Sequence, residues 1–325
     1  MSRPRVFVSA CLLGQEVRYD GGHKRFPYLD VLADYLELCP VCPEVGIGLG
    51  VPRPPVHLVS EKEGLYLLEV NDHCRDHSEA MRAFAARQAE AMVQADGFVA
   101  KKDSPSCGMA RVRVYDLKGH LLHKDGIGLL TAILKQTLPQ LPIEEEGRLN
   151  DPALRENFLT RVFVHHRWRK LQAEGITPAS LLEFHTRHKY LVMAHSMRAY
   201  RRLGKMLSDL AKNTLSEIAA LYFAELMAAL TKLARRPNHV NVLQHLAGYL
   251  SSHLDGCDRQ ELMAVIEAYR RGEVPLIVPV TLLRHHQSRI QNPYLMRQYY
   301  LNPYPAALVP RFKPTSPAAG SAANT

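Results

Sequence analysis

Six cysteines are spread through the 325 residues, and three of them share one setting. Cys11 follows the short apolar run 6–10, Cys42 follows the apolar stretch that reaches Cys39, and Cys107 follows the run 97–101. Each sits among turn formers: Cys11-Leu12-Leu13-Gly14, Cys42-Pro43-Glu44 and Ser104-Pro105-Ser106-Cys107-Gly108. If the preceding runs are parallel strands of one open sheet, the loops leaving their carboxyl ends converge on one edge, where ligands bind. Three thiolates meeting there repel one another unless a cation lies between them, so a metal centre completes the trio. The plainer alternative is that each is an inert buried hydrophobe, as single cysteines usually are. Cys39-Pro40-Val41-Cys42 admits a redox dithiol or half of a zinc site. The second pair that zinc needs is missing, and Pro43 with a Gly-rich stretch follows where a thioredoxin-like pair would open a helix. Cys39 therefore reads as a buried strand residue, and Cys74 and Cys257 as cysteines without a chemical role.

Loops placed in this way require alternating strands and helices before them. Residues 6–10, 64–70, 97–101 and 111–115 read as strands. Residues 27–38 carry a helical period, and 78–95 form a helix with Met81, Phe84, Ala85, Ala89, Met92 and Val93 on one face. Residues 1–140 are thus expected to be an α/β domain with a mainly parallel sheet. Residues 141–152, with Pro142 and Glu144-Glu145-Glu146-Gly147, read as a linker. Residues 153–313 read as an all-α domain: 205–236 contain no Gly or Pro, and Leu207, Leu210, Ile218, Leu221, Tyr222, Leu226, Leu230 and Leu233 recur at helical spacing. The tail 314–325 lacks the apolar content to pack and is expected to be disordered.

Composition narrows the classes. Apolar residues at 46 % and charged residues at 22 % suit a globular chain with a sizeable core. No apolar run approaches the roughly 18 residues of a membrane span. Six cysteines are too few for a disulfide scaffold and suggest a reduced compartment. The apolar stretch before Cys11 is shorter than the roughly 7–15 residues of a signal-peptide core, so a cytoplasmic location is expected. Charge is divided unevenly. Residues 1–150 hold 18 Lys and Arg against 20 Asp and Glu, whereas 151–325 hold 23 against 12, together with 10 of the 16 histidines. The second half therefore reads either as a solvated basic surface or as a contact for RNA or a phosphorylated ligand. His185, His188 and His195 share one helical face, yet no supporting acid accompanies them, so a polar, partly buried face is expected rather than a metal site.

Four motifs in order resemble the bacterial thiouracil desulfidases over residues 4–140: Ser9 to Gly14, Val17-Arg18-Tyr19-Asp20-Gly21, Cys42-Pro43-Glu44 with Gly48-Leu49 and Pro52-Arg53, and Lys101 to Gly108. Residues 184–189, 194–196 and 200–204 are similar to a helical domain often fused to that one. The resemblance implies a [4Fe-4S] cluster held by the matching Cys11, Cys42 and Cys107, with one iron open to the sulfur of a thiocarbonyl. It implies desulfidation of a thiolated pyrimidine, 4-thiouracil or 4-thiouridine monophosphate, to uracil or UMP and hydrosulfide without net electron transfer. Glu44 matches the family's acidic position and is the expected general acid or base; Ser104 is expected to hydrogen-bond the pyrimidine or relay a proton. Substrate contacts are expected from the Asp20-Gly21-Gly22 turn, whose amides would receive oxygens, from Arg53 on a phosphate, and from Ser106. Two other readings stay open at this point: a hydro-lyase whose open iron takes a hydroxyl or carboxylate, and an RNA-binding module with a structural cluster.

Overall fold

A computed structural model describes residues 2–62, 64–208 and 214–308. Strand β1 (Arg5–Ser9) passes through a 3₁₀ turn (Ala10–Leu13) and helix α1 (Tyr28–Leu32) to β2 (Glu37–Val41) and the single turn α2 (Pro43–Gly46). Then come β3 (Val56–Glu61), β4 (Gly64–Glu69), α3 (Ser78–Met92), β5 (Gly97–Ala100), β6 (Val112–Tyr115), β7 (Leu121–Gly126), α4 (Leu129–Thr137) and β8 (Ile143–Glu145). The rest is helical: α5 (Pro152–Glu174), α6 (Pro178–His195), α7 (Met197–Ser208), α8 (Leu215–Leu230), α9 (Arg236–Leu250), α10 (Gly256–Arg271), α11 (Ile277–Ile290) and α12 (Pro293–Met296). An α/β half followed by an all-α half is the order that the hydrophobic pattern predicts. Among the described residues no helix is long and apolar enough to cross a membrane.

Strands β1, β2, β5 and β8 form a parallel sheet in the order β2-β1-β5-β8. Side chains alternate across it. Val6, Val8 and Val99 pack under α1 and α5, against Leu29, Leu32, Phe158 and Val162. Phe98 and Ala100 pack under α3 and α4, against Met81, Ala85, Leu130 and Leu134. Both faces are covered, which is why these strands read as continuous apolar runs. A second, mixed sheet in the order β4-β3-β6-β7 was not foreseen as a separate layer. Its Leu58, Leu67, Val112 and Val114 close the core on the α3 side. Strand β7 left no trace in the pattern because five of its six residues are exposed.

The stretch 141–152 is not the expected linker. Ile143–Glu145 is the fourth strand of the parallel sheet, paired with β5. Leu141, Ile143 and Leu149 are buried, and the acidic run that looked solvated is turned inward. Glu144 takes Arg148 Nε at 2.6 Å and lies 3.7 Å from Arg161 Nη2. Asp151 then caps α5 by accepting the Leu154 N–H at 3.0 Å. The expected tail 314–325, and Leu210, lie outside the described residues.

Helix α5 belongs to both halves. Phe158, Leu159 and Val162 complete the sheet core, while Val164 and Trp168 enter the helical core beside Phe184, Tyr222 and Phe223. Gly97 permits this contact: a Cβ there would stand 2.9 Å from Val162 Cγ2. Beside it, the buried Asp96 carboxylate accepts from Arg5 N at 2.9 Å, His165 Nδ1 at 3.3 Å, His166 Nδ1 at 2.9 Å and Arg169 Nη1 at 3.0 Å. Burial alone would push this carboxyl up. The hydrogen bonds from His165, His166 and Arg5, with the Arg169 charge, outweigh it and hold the group well below the usual carboxylate range.

Candidate active site

The carboxyl ends of β1, β2 and β5 each deliver a cysteine. Cys11 lies in the turn after β1, Cys42 directly follows β2 and opens α2, and Cys107 lies in the loop between β5 and β6. All three, as free thiols, line one cavity of about 820 Å³. Burial pushes the Cys11 thiol up to about 11, with Cys42 adding to the rise. Burial also raises Cys42 and, most strongly, the fully buried Cys107, where Glu44, Cys42 and Cys11 add repulsion and a hydrogen bond from Ser9 opposes it. Each thiolate is thus costly beside the others, and cationic charge between them would remove that cost. Among the described residues no three His, Cys, Asp or Glu side chains come close enough to hold a single metal ion. An iron–sulfur cluster makes a different demand, because each thiolate binds its own iron and the ligands ring a space instead of meeting at a point. Three soft donors around one cavity fit that demand. Cys39 is a strand residue as expected but only half-buried, and its sulfur lies near Glu37, away from the cavity lining.

Glu44 follows from the one-turn helix that Cys42 opens. Its Oε2 accepts from Arg53 Nη2 at 2.6 Å and Nε at 3.0 Å, and its Oε1 accepts from Ser106 Oγ at 3.0 Å. A carboxylate offers about four acceptor positions, so one remains toward the cavity that Glu44 lines. Arg53 also donates to Gly50 O at 3.0 Å and Val17 O at 2.9 Å, and its side chain is only 4 % exposed. Its donors are spent on orienting Glu44 and the 17–53 loops, which leaves little of it for the expected phosphate. Ser106 likewise is fully buried and absent from the lining, so it reaches Glu44 and not a substrate.

The Cys107 loop is held from several sides. Ser104 Oγ accepts the N–H groups of Ser106 at 3.3 Å and Cys107 at 3.1 Å, leaving its own proton to donate into the cavity. The first turn of α4 lies on the loop: Leu129 N and Leu130 N donate to Pro105 O and Ser106 O, and Thr131 Oγ1 donates to Cys107 O. A Cβ at Gly128 would stand 2.6–2.8 Å from the backbone of Ser106, Cys107 and Gly108, so only glycine admits this approach. The acidic run at the end of β8 closes the other side. Glu145 accepts the Met109 N–H at 2.8 Å, and Glu146 accepts Lys101 Nζ at 2.6 Å and Lys102 N at 2.7 Å. Ser9, Lys101, Gly128, Thr131 and the two glutamates were missed by the motif reading. Ser9 and Lys101 stood inside the quoted motifs; the others lie far along the chain, and only the β5–β8 pairing brings the glutamates to the site.

The Asp20-Gly21-Gly22 turn is not part of the cavity lining. Its amides are consumed locally, Gly21 N by Arg18 O at 3.0 Å and Gly22 N by Asp20 Oδ1 at 3.1 Å. The opposite wall comes from the second sheet, with Arg113, Lys118 and a histidine pair, His57 and His73, whose Nε2 atoms are 3.1 Å apart. The histidines of α6 go separate ways: His185 meets Tyr222 OH, His188 meets Phe184 O, and His195 meets Lys232 O.

With this geometry in view, comparison places a desulfurase-type α/β domain in the first half of the chain and a further helical domain in the second. Residues 6–146 match the family described as 2-thiouracil desulfurase, and residues 189–305 match a protein family of unknown function, DUF1722. The chain belongs to the 2-thiouracil desulfurase family through its amino-terminal half. It is 33 % identical over 154 residues to the uncharacterized protein YbgA of Escherichia coli (strain K12), covering 47 % of this chain and 91 % of that one. It is 29 % identical over 153 residues to the uncharacterized protein YbbK of Bacillus subtilis (strain 168), covering 45 % and 98 %. Among solved structures, the [4Fe-4S]-dependent thiouracil desulfidase TudS is similar at 30 % identity, with 46 % of this chain and 94 % of that one covered and a TM-score of 0.38.

Proposed function

We propose that the protein removes sulfur from thiolated pyrimidines, 4-thiouracil or 4-thiouridine monophosphate, giving uracil or UMP and hydrosulfide. The observation that carries this reading is the lining of one cavity by Cys11, Cys42 and Cys107, in a chain whose first half matches the desulfurase family. These cysteines would hold a [4Fe-4S] cluster. Held by three thiolates, such a cluster has one iron without a protein ligand, a soft Lewis-acid position that prefers a thiocarbonyl sulfur to an oxygen.

Around it the chain's own groups divide the work. Glu44, its other oxygen positions occupied by Arg53 and Ser106, takes a proton from the water that adds to the ring carbon. Ser104 donates its remaining proton to the pyrimidine ring. Arg53 and Ser106 act through Glu44 as positioning residues. Lys101 and Arg18 set positive charge beside Cys11. The reaction replaces one C–S bond by C–O with water as the co-reactant, so no electron donor is needed.

The test is anaerobic purification with iron and sulfide analysis, followed by hydrosulfide release from 4-thiouracil and 4-thiouridine monophosphate. Wild type should carry four irons and turn over, as the proposed cluster requires. Cys11→Ser, Cys42→Ser and Cys107→Ser should each lose iron and activity together. Full iron content in all three variants would refute the ligand assignment; a loaded protein that releases no hydrosulfide from either substrate would refute the reaction.

A further inference from the structure

A second cavity, of about 780 Å³, lies where α5, α6 and residues 299–305 meet the amino-terminal residues 2–4. Three of its polar side chains have unmet hydrogen-bonding capacity. Arg167 Nη1, Arg187 Nε and His188 Nε2 are buried and without a partner among the described residues. Both guanidiniums lie against the Tyr299 ring, Arg167 at 3.6 Å and Arg187 at 4.7 Å from its centroid, and Arg167 Nη2 donates to Pro303 O. Nearby carboxylates do not neutralise them: Glu174 pairs with Lys170 and Glu183 with Arg297, and Asp34 is exposed at the rim. Arg167 feels Arg187 as a repelling neighbour. Buried charges are normally paired because an unpaired one is expensive, and a native group left unsatisfied asks for the partner that satisfies it.

His188 adds an acceptor to these donors. Its Nδ1 lies 2.7 Å from Phe184 O, which only accepts, so the proton is on Nδ1. Burial among positive neighbours keeps the ring neutral, leaving Nε2 with a free lone pair. Phe163, Phe184 and Tyr304 supply apolar walls, and the volume is that of a small-molecule pocket. Two guanidiniums beside one neutral acceptor complement an oxyanion that carries a hydroxyl next to it. We propose that this cavity binds a phosphorylated sugar, free or as part of a nucleoside monophosphate, its phosphate on Arg167 and Arg187 and a hydroxyl donating to His188. The site is independent of desulfidation and gives the basic helical half a specific anionic ligand.

The test is calorimetric titration of the full chain with ribose 5-phosphate, UMP and inorganic phosphate. Wild type should bind ribose 5-phosphate saturably and inorganic phosphate more weakly. Arg187→Gln should weaken the ester roughly 10- to 100-fold, the loss of a charged hydrogen bond. Arg187→Lys should fall between, because an ammonium lacks the planar fork. Arg113→Gln, in the other cavity, should leave ribose 5-phosphate binding within about twofold. Equal affinity for UMP and ribose 5-phosphate would assign recognition to the sugar phosphate, and tighter UMP binding would add the base. Hydrogen exchange of the wild type should slow at residues 299–305 with ribose 5-phosphate present, a readout that needs no variant. Absence of saturable binding, equal affinity in Arg187→Gln, loss in Arg113→Gln alone, inorganic phosphate as tight as the ester, or binding of single-stranded RNA alone would overturn the proposal.

Discussion

The two cavities are close in size, about 820 and 780 Å³, yet they settle their charges in opposite ways. At the strand ends, Glu44 is met by Arg53 and Ser106, Glu145 by backbone N–H groups, and Glu146 by Lys101. These carboxylates are aimed before any substrate arrives, which is the arrangement that electrostatic preorganisation requires. Where α5, α6 and residues 299–305 meet, Arg167 and Arg187 both lie against the Tyr299 ring, without a carboxylate partner among the described residues. A cavity whose carboxylates are already paired can position groups for chemistry; one whose buried guanidiniums lack an acidic partner leaves that task to a ligand. Removing a charge should therefore damage the first cavity and relieve the second.

Glu44→Gln should give the largest effect. It keeps the shape and the Ser106 contact but cannot take a proton, so hydrosulfide release should fall roughly 10²- to 10⁴-fold. Iron content should remain at the wild-type value, because the cysteines are untouched. Loss of iron in parallel with activity would make Glu44 a prop for the cluster instead of the base.

Next comes the joint between the parallel sheet and α5. Asp96, with its side chain 1 % exposed, gathers His165, His166 and Arg169 from α5. Asp96→Asn leaves those groups facing a neutral amide and should cost about 3 kcal/mol of stability, as expected when a buried pair is broken. The folded carboxyl is held below its unfolded value of about 3.9, so its contribution is complete above that pH and is lost as pH falls through the folded value. The gap in melting temperature between wild type and Asp96→Asn should be constant near neutrality and narrow below about pH 4. A gap that does not respond to acid would show that Asp96 matters for packing and not for charge.

Much of the first cavity was legible because its chemistry is concentrated in short motifs. A strand followed by Cys11, another followed by Cys42 and a Ser-Pro-Ser-Cys turn can be read directly when parallel strands share an edge. The parts that were misread are those in which polar residues face inward. Glu144-Glu145-Glu146 has the composition of a solvated linker, and only the pairing of β8 with β5 shows that it clamps the 101–110 loop. Arg53 looked like an anion contact because nothing in its flanking prolines foretells the Glu44 carboxylate, nine residues away. The second cavity left almost no local trace. Arg167, Arg187 and Tyr299 come from three segments, and their likeness to ordinary surface arginines and a core tyrosine ends only when the fold brings them together.

Gly128→Ala probes how firmly the first cavity is built. The added Cβ has no room against the Cys107 backbone, and the atoms it meets are main chain and cannot rotate away. Overpacking of this kind should cost about 1–3 kcal/mol. Because the displaced loop carries Cys107, a proposed cluster ligand, iron retention should suffer with stability, whereas binding of ribose 5-phosphate in the second cavity should not change. A variant with normal iron content would mean that the α4–loop contact is softer than its spacing suggests.

Ser104→Ala should be the mildest in stability and the most discriminating in mechanism. The hydroxyl accepts two N–H groups in the Cys107 turn, and losing such a cap costs about 1 kcal/mol. Its proton, however, is the part assigned to the substrate. Ser104→Thr retains both functions, while Ser104→Ala retains neither. If the hydroxyl only shapes the turn, Ser104→Ala should lower the melting temperature and leave kcat for hydrosulfide release nearly unchanged once the protein is folded and loaded with iron. If it also donates to the ring, kcat should drop well beyond what the lost stability explains, and Ser104→Thr should recover most of it. The ratio of the two kcat values, measured at equal iron content, separates a group that holds a ligand in place from one that touches the reacting molecule.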